Sequence, residues 1–326
     1  MARVLVLGGA GFVGYHLARR LLDEGHTITL VDDLSRGRLD AELAELLGRP
    51  GIELVQADLT DGAAFGRLPG RWDQVYMLAA VVGVRHAEQE PARVIRVNAQ
   101  SVLNLLDWIT PDAGTAFFAS TSEVYAGGVA EGHLPVPTPE AVPLSVADVR
   151  NPRFSYAATK ILGEAAMVHC TAARGVPVVI GRLHNVYGPR MGTDHVIPEL
   201  ILRALDREDP FRIYGLEQRR AFCHVADAVE GIVRLMATEA ARGQIVNIGN
   251  DAEETSVADL LSLVLRIAGF APRVAPEPAP AGSVDRRCPD LGRLRALTGF
   301  APKVSLEAGV RETFEWYRAW HGRGRP

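Results

Sequence analysis

The sequence predicts an α/β protein built on a doubly wound parallel sheet, with a smaller α/β domain attached. Two observations lead to this prediction. The first half of the chain alternates short apolar runs with amphipathic stretches of helical period, a rhythm that places helices on both faces of a parallel sheet. In addition, a glycine-rich turn, Gly8-Gly9-Ala10-Gly11-Phe12-Val13-Gly14, joins the first apolar run directly to the first helical stretch.

The periodicity predicts seven strands and seven longer helices. The predicted strands are residues 3–7, 27–31, 52–56, 74–78, 115–119, 178–180 and 245–248. The predicted helices are residues 12–23, 39–47, 91–108, 156–173, 195–206, 225–237 and 256–268. Apolar runs this short suit strands that are buried on both faces, while apolar residues three and four apart suit helices that cover them.

The composition argues against several classes of function. With 48% hydrophobic and 23% charged residues and a net charge of −4, the chain is typical of a globular enzyme and has no electrostatic case for binding nucleic acid. No apolar run reaches the ~20 residues of a membrane helix, and the first strand begins almost at once, so no signal peptide is expected. Three scattered cysteines and nine histidines without metal-ligand spacing predict a cytoplasmic protein with no metal site.

The glycine-rich turn predicts a dinucleotide site. Gly8, Gly11 and Gly14 supply the tight turn, the close backbone approach and the close helix packing that a pyrophosphate site needs. Phe12 and Val13 open the following helix, whose free N–H groups face the phosphates. Because the turn lies between a strand and a helix, we interpret it as a ligand site and not as a bare turn.

Two acidic residues at the end of the second predicted strand indicate which cofactor binds. Asp32 and Asp33 stand where a carboxylate accepts hydrogen bonds from the adenosine ribose and repels a 2′-phosphate. The sequence therefore favours NAD over NADP, although Arg36 leaves NADP open. Residues after the third and fourth strands are predicted to flank the adenine and to let the cofactor lie close to the backbone: Asp58, Leu59, Leu78, Ala79 and Ala80.

These assignments divide the chain into two domains. Residues 1–180 are predicted to form a Rossmann-like NAD-binding domain, completed by a returning segment at about 211–250. Residues 181–210 and 251–326 are predicted to form the smaller substrate-binding domain. Within it, the Pro- and Ala-rich residues 271–282 are expected to run extended over the surface, and residues 321–326 to be a frayed tail.

A second group of residues predicts acid–base chemistry. Tyr156 and Lys160 are four residues apart, so a helix brings them to one face, where an ammonium favours the phenolate. A free phenol titrates near ~10, so a base at neutral pH needs a shift of roughly 3 units, or about 4 kcal/mol. A cationic nicotinamide ring would supply part of that shift. Thr121-Ser122-Glu123 follows the fifth predicted strand and completes the group.

Together these residues resemble the extended short-chain dehydrogenases/reductases that modify sugar nucleotides. The matching segments span nearly the whole chain: residues 8–14, 120–125, 156–160, 185–190, 218–222, 247–250 and 286–290. Within that superfamily the chain most resembles the UDP-glucuronate decarboxylases, through Thr121-Ser122-Glu123, Pro152-Arg153 and Arg287-Cys288-Pro289. It departs from them at His184, where phenylalanine is commoner, and in the loop of residues 81–85.

The resemblance implies a catalytic set of Thr121, Ser122, Glu123, Tyr156, Lys160 and Arg287. Tyr156 would deprotonate the sugar 4-hydroxyl as C4 gives hydride to NAD⁺, with Thr121 on the same oxygen and Lys160 on the nicotinamide ribose. The 4-keto sugar acid is a β-keto acid that loses CO₂ readily. Glu123 and Ser122 would serve the chemistry at C5, and Arg287 would bind the carboxylate or donate a proton through water. A diphosphate contact is an equal alternative for Arg287.

The resemblance also implies the remaining partners. Arg220 and Asn185 would bind the diphosphate of a UDP-sugar, although a loop or cap role competes for both. Arg190 and Arg85 are weaker substrate-binding candidates, and both are expected to be solvated. Apolar faces on the predicted helices 91–108 and 156–173 permit the homodimer that the resemblance implies.

Three other functions stay open. A 4,6-dehydratase would use Glu123 as its base, but many have an aspartate where this chain has Ser122, although GDP-mannose dehydratases have a similar string. A 4-epimerase needs only the ketone to turn over, and epimerases usually lack the glutamate. A non-catalytic NAD-binding sensor could lose Tyr156 and Lys160, and both are present.

Overall fold

The computed structural model describes residues 1–68, 71–279 and 283–322. Its strands are β1 (Arg3–Leu7), β2 (Thr27–Asp32), β3 (Ile52–Gln56), β4 (Gln74–Met77), β5 (Thr115–Thr121), β6 (Val178–Leu183), β7 (Val186–Tyr187), β8 (Phe211–Tyr214), β9 (Arg219–Ala221), β10 (Cys223–His224), β11 (Ile245–Ile248), β12 (Glu254–Ser256), β13 (Val274–Glu277) and β14 (Arg286–Arg287). Its α-helices are α1 (Phe12–Asp23), α2 (Ala41–Leu47), α3 (Gly62–Gly66), α4 (Val84–Gln89), α5 (Pro91–Trp108), α6 (Ala126–Ala130), α7 (Ser155–Ala173), α8 (Val196–Leu205), α9 (Val225–Ala237), α10 (Val257–Ala268), α11 (Gly292–Thr298) and α12 (Leu306–Gly322).

The large sheet consists of the seven strands that the sequence predicts. Their order is β11-β6-β5-β4-β1-β2-β3, and every neighbouring pair is parallel. The chain winds outward from β1 in both directions, so a crevice opens beyond the carboxyl ends of β1 and β4, where ligands bind in such sheets. The predicted fold class, a Rossmann-like doubly wound sheet, is confirmed.

Apolar clusters cover both faces of this sheet. In β1, Val4 and Val6 are buried in the cluster that includes α1 and α9, while Leu5 and Leu7 are buried in the cluster that includes α5 and α7. Burial on both faces explains why the strand is apolar at successive positions. The sheet therefore forms a rigid middle layer that fixes where its carboxyl edge lies.

The smaller unit has a core of its own, built from α8, α10 and α12. β8 pairs with β13, and β9 lies between β12 and β14, in small sheets separate from the large one. The returning segment that joins the large sheet therefore begins with α9 and β11, later than the predicted residue 211. In β8, Phe211 and Ile213 are buried while Arg212 and Tyr214 are exposed, a pattern that suits a sheet with one covered face.

The structure bears on two further predictions. The described part of the Pro- and Ala-rich segment is mostly exposed, as expected, and Val274–Glu277 within it form the extended strand β13, paired with β8; residues 280–282 lie outside the described residues. His321 lies in α12 and its Nε2 is 2.8 Å from Asp206 Oδ1, so it is not frayed; residues 323–326 lie outside the described residues. No helix within the described ranges is long and apolar enough to cross a membrane.

Candidate active site

The carboxyl edge of the large sheet opens into a cleft of about 560 Å³. It is lined by every residue predicted to bind the cofactor: Gly8, Gly11, Phe12, Val13, Gly14, Asp32, Asp33, Asp58, Leu59, Leu78, Ala79, Ala80, Tyr156 and Lys160. Thr121 and Arg190 also line it. The remaining predicted residues lie outside this lining: Arg85, Ser122, Glu123, Asn185, Arg220 and Arg287.

The glycine-rich turn forms a cradle that side chains would fill. Gly8 has φ +85°, and a Cβ there would lie 2.6 Å from the backbone nitrogen of Ala79. A Cβ on Gly14 would lie 2.3 Å from the carbonyl oxygen of Gly8. The N-cap of α1 is Gly11, which offers no side-chain cap. The first N–H groups of α1 therefore remain available, and the residues fit the pyrophosphate of a dinucleotide.

Asp32 and Asp33 have different roles. Asp32 is buried and accepts hydrogen bonds from the backbone N–H groups of Ala10 (3.0 Å) and Leu34 (2.9 Å), so it holds the turn in place. Burial raises its pKa despite those donors. Asp33 is exposed on the cleft wall. Arg36, which left NADP open, donates across the cleft to the carbonyl of Val82 (2.7 Å), so the carboxylates set the charge at the ribose end.

Tyr156 and Lys160 lie one turn apart on α7, as predicted, and both line the cleft. Lys160 is buried, its Nζ donates to the carbonyl of Ala119 (2.7 Å), and it lies 5.9 Å from the centre of the Tyr156 ring. Burial lowers the pKa of Lys160 to about 8. Burial and then the Glu123 carboxylate raise the pKa of Tyr156, while a hydrogen bond with Thr121 and the charge of Arg36 lower it. The charge of Arg36 therefore acts on the phenol, and the Lys160 ammonium lies near the ring while it donates to a backbone carbonyl.

Arg36 is a site residue that the sequence reasoning did not connect with catalysis. It follows β2, whereas Tyr156 belongs to α7, and no local pattern links the two. The cleft wall formed by residues 191–195 was missed for the same reason. So were Trp316 and Trp320 of α12, which line the cleft beside the Trp316 Nε1–Glu42 Oε1 hydrogen bond (2.6 Å).

Glu123 and Arg287 meet although they are far apart in the chain. Glu123 lies in a short 3₁₀ helix, Ser122–Tyr125, that follows β5, and Arg287 ends β14. Arg287 Nη1 is 2.5 Å from Glu123 Oε1 and Nη2 is 3.3 Å from Oε2. Burial alone would raise the pKa of Glu123, but the Arg287 guanidinium holds it below its ordinary value. A two-pronged ion pair therefore stands next to Thr121.

Two further arginines give this region an excess of positive charge. The charges of Arg153 and Arg220 act on Glu123 together with that of Arg287. Arg220 is held in place because it donates to the backbone carbonyls of Val284 (2.5 Å) and of the next residue (3.1 Å). Burial and then the neighbouring Arg287 lower the pKa of Arg220 to about 10. Such a cluster suits an anionic ligand.

The other predicted substrate residues have structural roles in the described chain. Asn185 has φ +41°, and its Nδ2 donates to a backbone carbonyl of β9 (3.0 Å). The expectation that Arg190 is solvated is wrong, because its buried guanidinium binds Asp40 Oδ2 (2.6 Å) and lies over the Tyr15 ring. That contact fixes the wall of the cleft. Arg85 is largely exposed, as expected.

The fold and the site define a class: a dinucleotide-binding α/β protein of the extended short-chain dehydrogenase/reductase type. Residues 4–249 match the family described as the NAD dependent epimerase/dehydratase family. The chain belongs to that family, and its cofactor is NAD, as the glycine cradle and the acidic pair predict.

Several proteins of similar sequence are named as decarboxylases. A UDP-N-acetyl-α-D-glucosaminuronate decarboxylase of Bacillus cytotoxicus is 33% identical, over 97% of this chain and 98% of its own length. UDP-glucuronic acid decarboxylase 1 of Xenopus tropicalis is 32% identical, over 97% of this chain and 72% of its own length. These matches point to an enzyme that modifies a sugar nucleotide.

Solved structures with the same fold carry out different reactions. The dTDP-glucose 4,6-dehydratase of Streptomyces venezuelae, solved with NAD bound, superposes with a TM-score of 0.87 at 27% identity, over 98% of both chains. The UDP-glucose 4-epimerase of Thermotoga maritima, solved with UDP-glucose, gives a TM-score of 0.86 at 28% identity, over 98% of this chain and 99% of its own. The fold alone therefore does not choose the reaction.

Proposed function

We propose that the protein is an NAD-dependent decarboxylase of UDP-sugar acids and that UDP-glucuronate is its substrate. The observation that carries this proposal is the two-pronged Glu123–Arg287 pair beside the Thr121–Tyr156 hydroxyls. A guanidinium at that place suits a carboxylate on C5, and the positive charge around it suits a ligand with both a diphosphate and a carboxylate.

The first step is oxidation at C4. Tyr156 takes the proton of the 4-hydroxyl, and the Thr121 hydroxyl holds the same oxygen in place. When bound in the cleft, NAD⁺ supplies a hydride acceptor and a positive charge beside the phenol. Because burial and Glu123 raise the pKa of Tyr156 in the protein alone, added positive charge is what brings the phenolate into range at neutral pH.

The second step is loss of CO₂. Once C4 is a ketone, the C5–carboxylate bond breaks and its electron pair moves toward the C4 carbonyl, leaving an enolate and CO₂. C5 then takes a proton from a water molecule held by Arg287 and Glu123, and the hydroxide that remains takes a proton from the solvent, so one proton is consumed for each CO₂ released. Return of hydride to C4 gives UDP-xylose, and early release gives the 4-keto pentose.

Within the family, the alternatives make weaker use of this geometry. A dehydratase would need Glu123 free as a base, but Arg287 lowers its pKa and occupies it. An epimerase has no need of the pair. Among substrates, UDP-N-acetylglucosaminuronate is a second candidate, because the 33%-identical relative that matches along its whole length carries that name.

The test is mass spectrometry of UDP-glucuronate and of UDP-N-acetylglucosaminuronate incubated with enzyme and NAD⁺. Loss of the mass of CO₂ supports the proposal and identifies the substrate, and the Tyr156→Phe variant should leave both compounds unchanged. Loss of water would assign a dehydratase. An unchanged mass with a new configuration at C4 would assign an epimerase.

We also propose that the enzyme works as a cytoplasmic homodimer. The three cysteines Cys170, Cys223 and Cys288 are free thiols, which suits a reducing compartment. The packed helices α5 and α7 carry exposed apolar side chains that a second copy would cover.

A further inference from the structure

A buried network of hydrogen bonds links the catalytic strands to the segment that carries Arg287. Glu164 of α7 binds Arg182 at the end of β6 (2.6 and 2.8 Å). Arg182 Nη1 donates to the Tyr125 hydroxyl (2.7 Å), and that hydroxyl donates to Asn247 Oδ1 (2.9 Å). Asn247 Oδ1 is also 3.0 Å from Nε2 of His184.

The directions of these bonds are fixed by the chemistry of arginine. A guanidinium can only donate, so the Tyr125 oxygen accepts from Arg182 and its proton points to Asn247. The acceptor there is the amide oxygen, since Asn247 Nδ2 donates to the backbone carbonyls of Thr138 (3.0 Å) and Asp290 (3.1 Å). The same oxygen can only accept from the imidazole. His184 is therefore the tautomer with its proton on Nε2.

This tautomer leaves a bare lone pair on Nδ1 of His184. The side chain is 1% exposed, and no hydrogen-bond donor among the described residues reaches that nitrogen. Burial, with the charges of Arg287 and Arg182 and against the bond to Asn247, lowers the pKa of His184 to about 3. The ring is thus a neutral acceptor at neutral pH, and a buried acceptor without a donor is unfavourable.

The place of His184 in the fold indicates where a donor would come from. It directly follows Leu183, which lines the cofactor cleft and pairs with Thr121 across the sheet. The charges of Arg287 and Glu123 both act on the ring. His184 thus follows the strand neighbour of Thr121, the residue assigned to the C4 oxygen, and it feels the charges of the pair assigned to C5.

We propose that Nδ1 of His184 accepts a hydrogen bond from a hydroxyl group of the bound sugar, which makes His184 a specificity-determining residue. This rests on the proposed function only in taking the ligand to be a UDP-sugar. The network from Glu164 to Asn247 acts through His184: it holds the proton on Nε2 so that Nδ1 stays an acceptor. A phenylalanine at this position would pack as well but would leave the hydroxyl unbound.

Three variants separate the two nitrogens. In His184→Asn the amide oxygen reaches about as far as Nδ1, so an acceptor is kept while the bond to Asn247 is lost. In His184→Gln the amide reaches about as far as Nε2, so the bond to Asn247 is kept and the acceptor is lost. His184→Phe keeps an aromatic ring of similar shape but removes both the acceptor and the bond to Asn247. Each is made in NAD-loaded Tyr156→Phe protein so that the ligand is not consumed, and thermal unfolding checks that each variant folds.

Calorimetric titration with UDP-glucuronate, UDP-glucose and UDP then gives the test. We expect the Gln and Phe variants to bind both UDP-sugars about 5- to 15-fold more weakly, the Asn variant to bind them within about 2-fold, and UDP to bind equally throughout. If His184→Gln kept its affinity for the UDP-sugars and His184→Asn lost it, His184 would serve the hydrogen-bond network alone and the proposal would be overturned. Equal binding by all three, or equal losses for UDP, would also overturn it.

A measurement with His184 intact covers variants that fail to fold. In protein carrying ¹⁵N-histidine, with His184→Phe used for assignment, the Nδ1 signal should be that of a bare nitrogen and should shift when a UDP-sugar binds but not when UDP binds. A proton on Nδ1, or an equal shift with UDP that indicates a water donor, would overturn the proposal. A shift with UDP-glucose in a protein that does not decarboxylate UDP-glucuronate would remove the proposed reaction and leave this role standing.

Discussion

At the scale of single residues, two neighbouring arginines show that the surroundings of a side chain decide its role. Arg286 and Arg287 each hold a glutamate with two prongs, but Arg286 binds Glu254 on the surface and is 46% exposed, whereas Arg287 is 11% exposed beside Thr121. Exposed pairs contribute little to stability. The Arg287 guanidinium is the less exposed of the two and lies near Arg220 and Arg153, so its loss is the one that we expect to weaken the binding of an anionic ligand.

We predict that Arg287→Ala weakens binding of UDP-glucuronate by about 10- to 100-fold, the range for hydrogen bonds to charged groups. Binding of UDP-glucose, which lacks the carboxylate, should change by less than about 3-fold. Calorimetric titration of NAD-loaded protein measures both. Arg286→Ala is the matched control and should change neither. Equal losses for the two ligands would mean that Arg287 binds the diphosphate, the alternative that the sequence leaves open.

Lys160 gives a prediction about stability and pH. Its pKa is about 8 in the folded protein and ~10.4 in an unfolded chain, so between these values the unfolded chain binds more protons and the free energy of unfolding rises with pH. Below about pH 8 the buried ammonium destabilises the fold in full. The Lys160→Met variant has no group that titrates at this position. Relative to it, the free energy of unfolding of the wild type should rise by up to about 3 kcal/mol as the pH increases through this range. Urea unfolding of both proteins at several pH values measures the difference, and parallel curves would contradict the prediction.

At the scale of elements, the contact between β1 and α1 is the tightest requirement of the cleft. We predict that Gly14→Ala destabilises the protein by about 1–3 kcal/mol and abolishes NAD retention, because the new Cβ would lie 2.3 Å from the carbonyl oxygen of Gly8. Thermal unfolding and the NAD content after gel filtration measure these effects. Gly66→Ala is the control: it lies in the helix α3 with open space around it, so it should be neutral or slightly stabilising.

Local patterns predicted the elements well where burial is simple. The helices α1, α5 and α9 have the bounds that the sequence predicts, because each carries one apolar stripe that packs on the large sheet. The segment that returns to the large domain was predicted to begin at about residue 211, but β8 and β9 pair in small separate sheets, since a short strand pairs with whichever edge the tertiary structure supplies. The sequence of a short strand does not specify which distant strand it will pair with.

The site also contains residues that local patterns predicted and contacts that they missed. Gly8, Gly14 and Asp32 lie on consecutive elements with fixed spacing, so the sequence predicted a cofactor cradle that the structure contains. Arg36 beside Tyr156 and the wall formed by Arg190 and Asp40 depend on side chains brought together from distant elements. No spacing rule predicts such contacts, because they depend on how elements far apart in the chain pack together.

At the scale of the whole molecule, charge is distributed unevenly. The chain carries a net charge of −4, yet three arginines and one glutamate meet beside the cofactor cleft. A positive region inside a negative protein draws small anions to one place and favours them over large polyanions. This fits a nucleotide sugar and agrees with the absence of any basic run in the sequence.

The last prediction concerns assembly. Ile95 and Leu103 on α5 and Leu162 on α7 are 49%, 45% and 48% exposed, and the two helices pack side by side, so they present one apolar surface. A two-fold axis through this surface would pack it against the same surface of a second copy and cover the three side chains in both subunits.

We predict that the 35.2-kDa chain sediments as a dimer and that Leu103→Glu combined with Leu162→Glu gives a folded monomer. Val149→Glu, at a residue that is 88% exposed and lies outside both helices, should leave the dimer intact. Analytical ultracentrifugation measures the masses, and a wild-type monomer, or a double variant that stays dimeric, would exclude this surface as the interface.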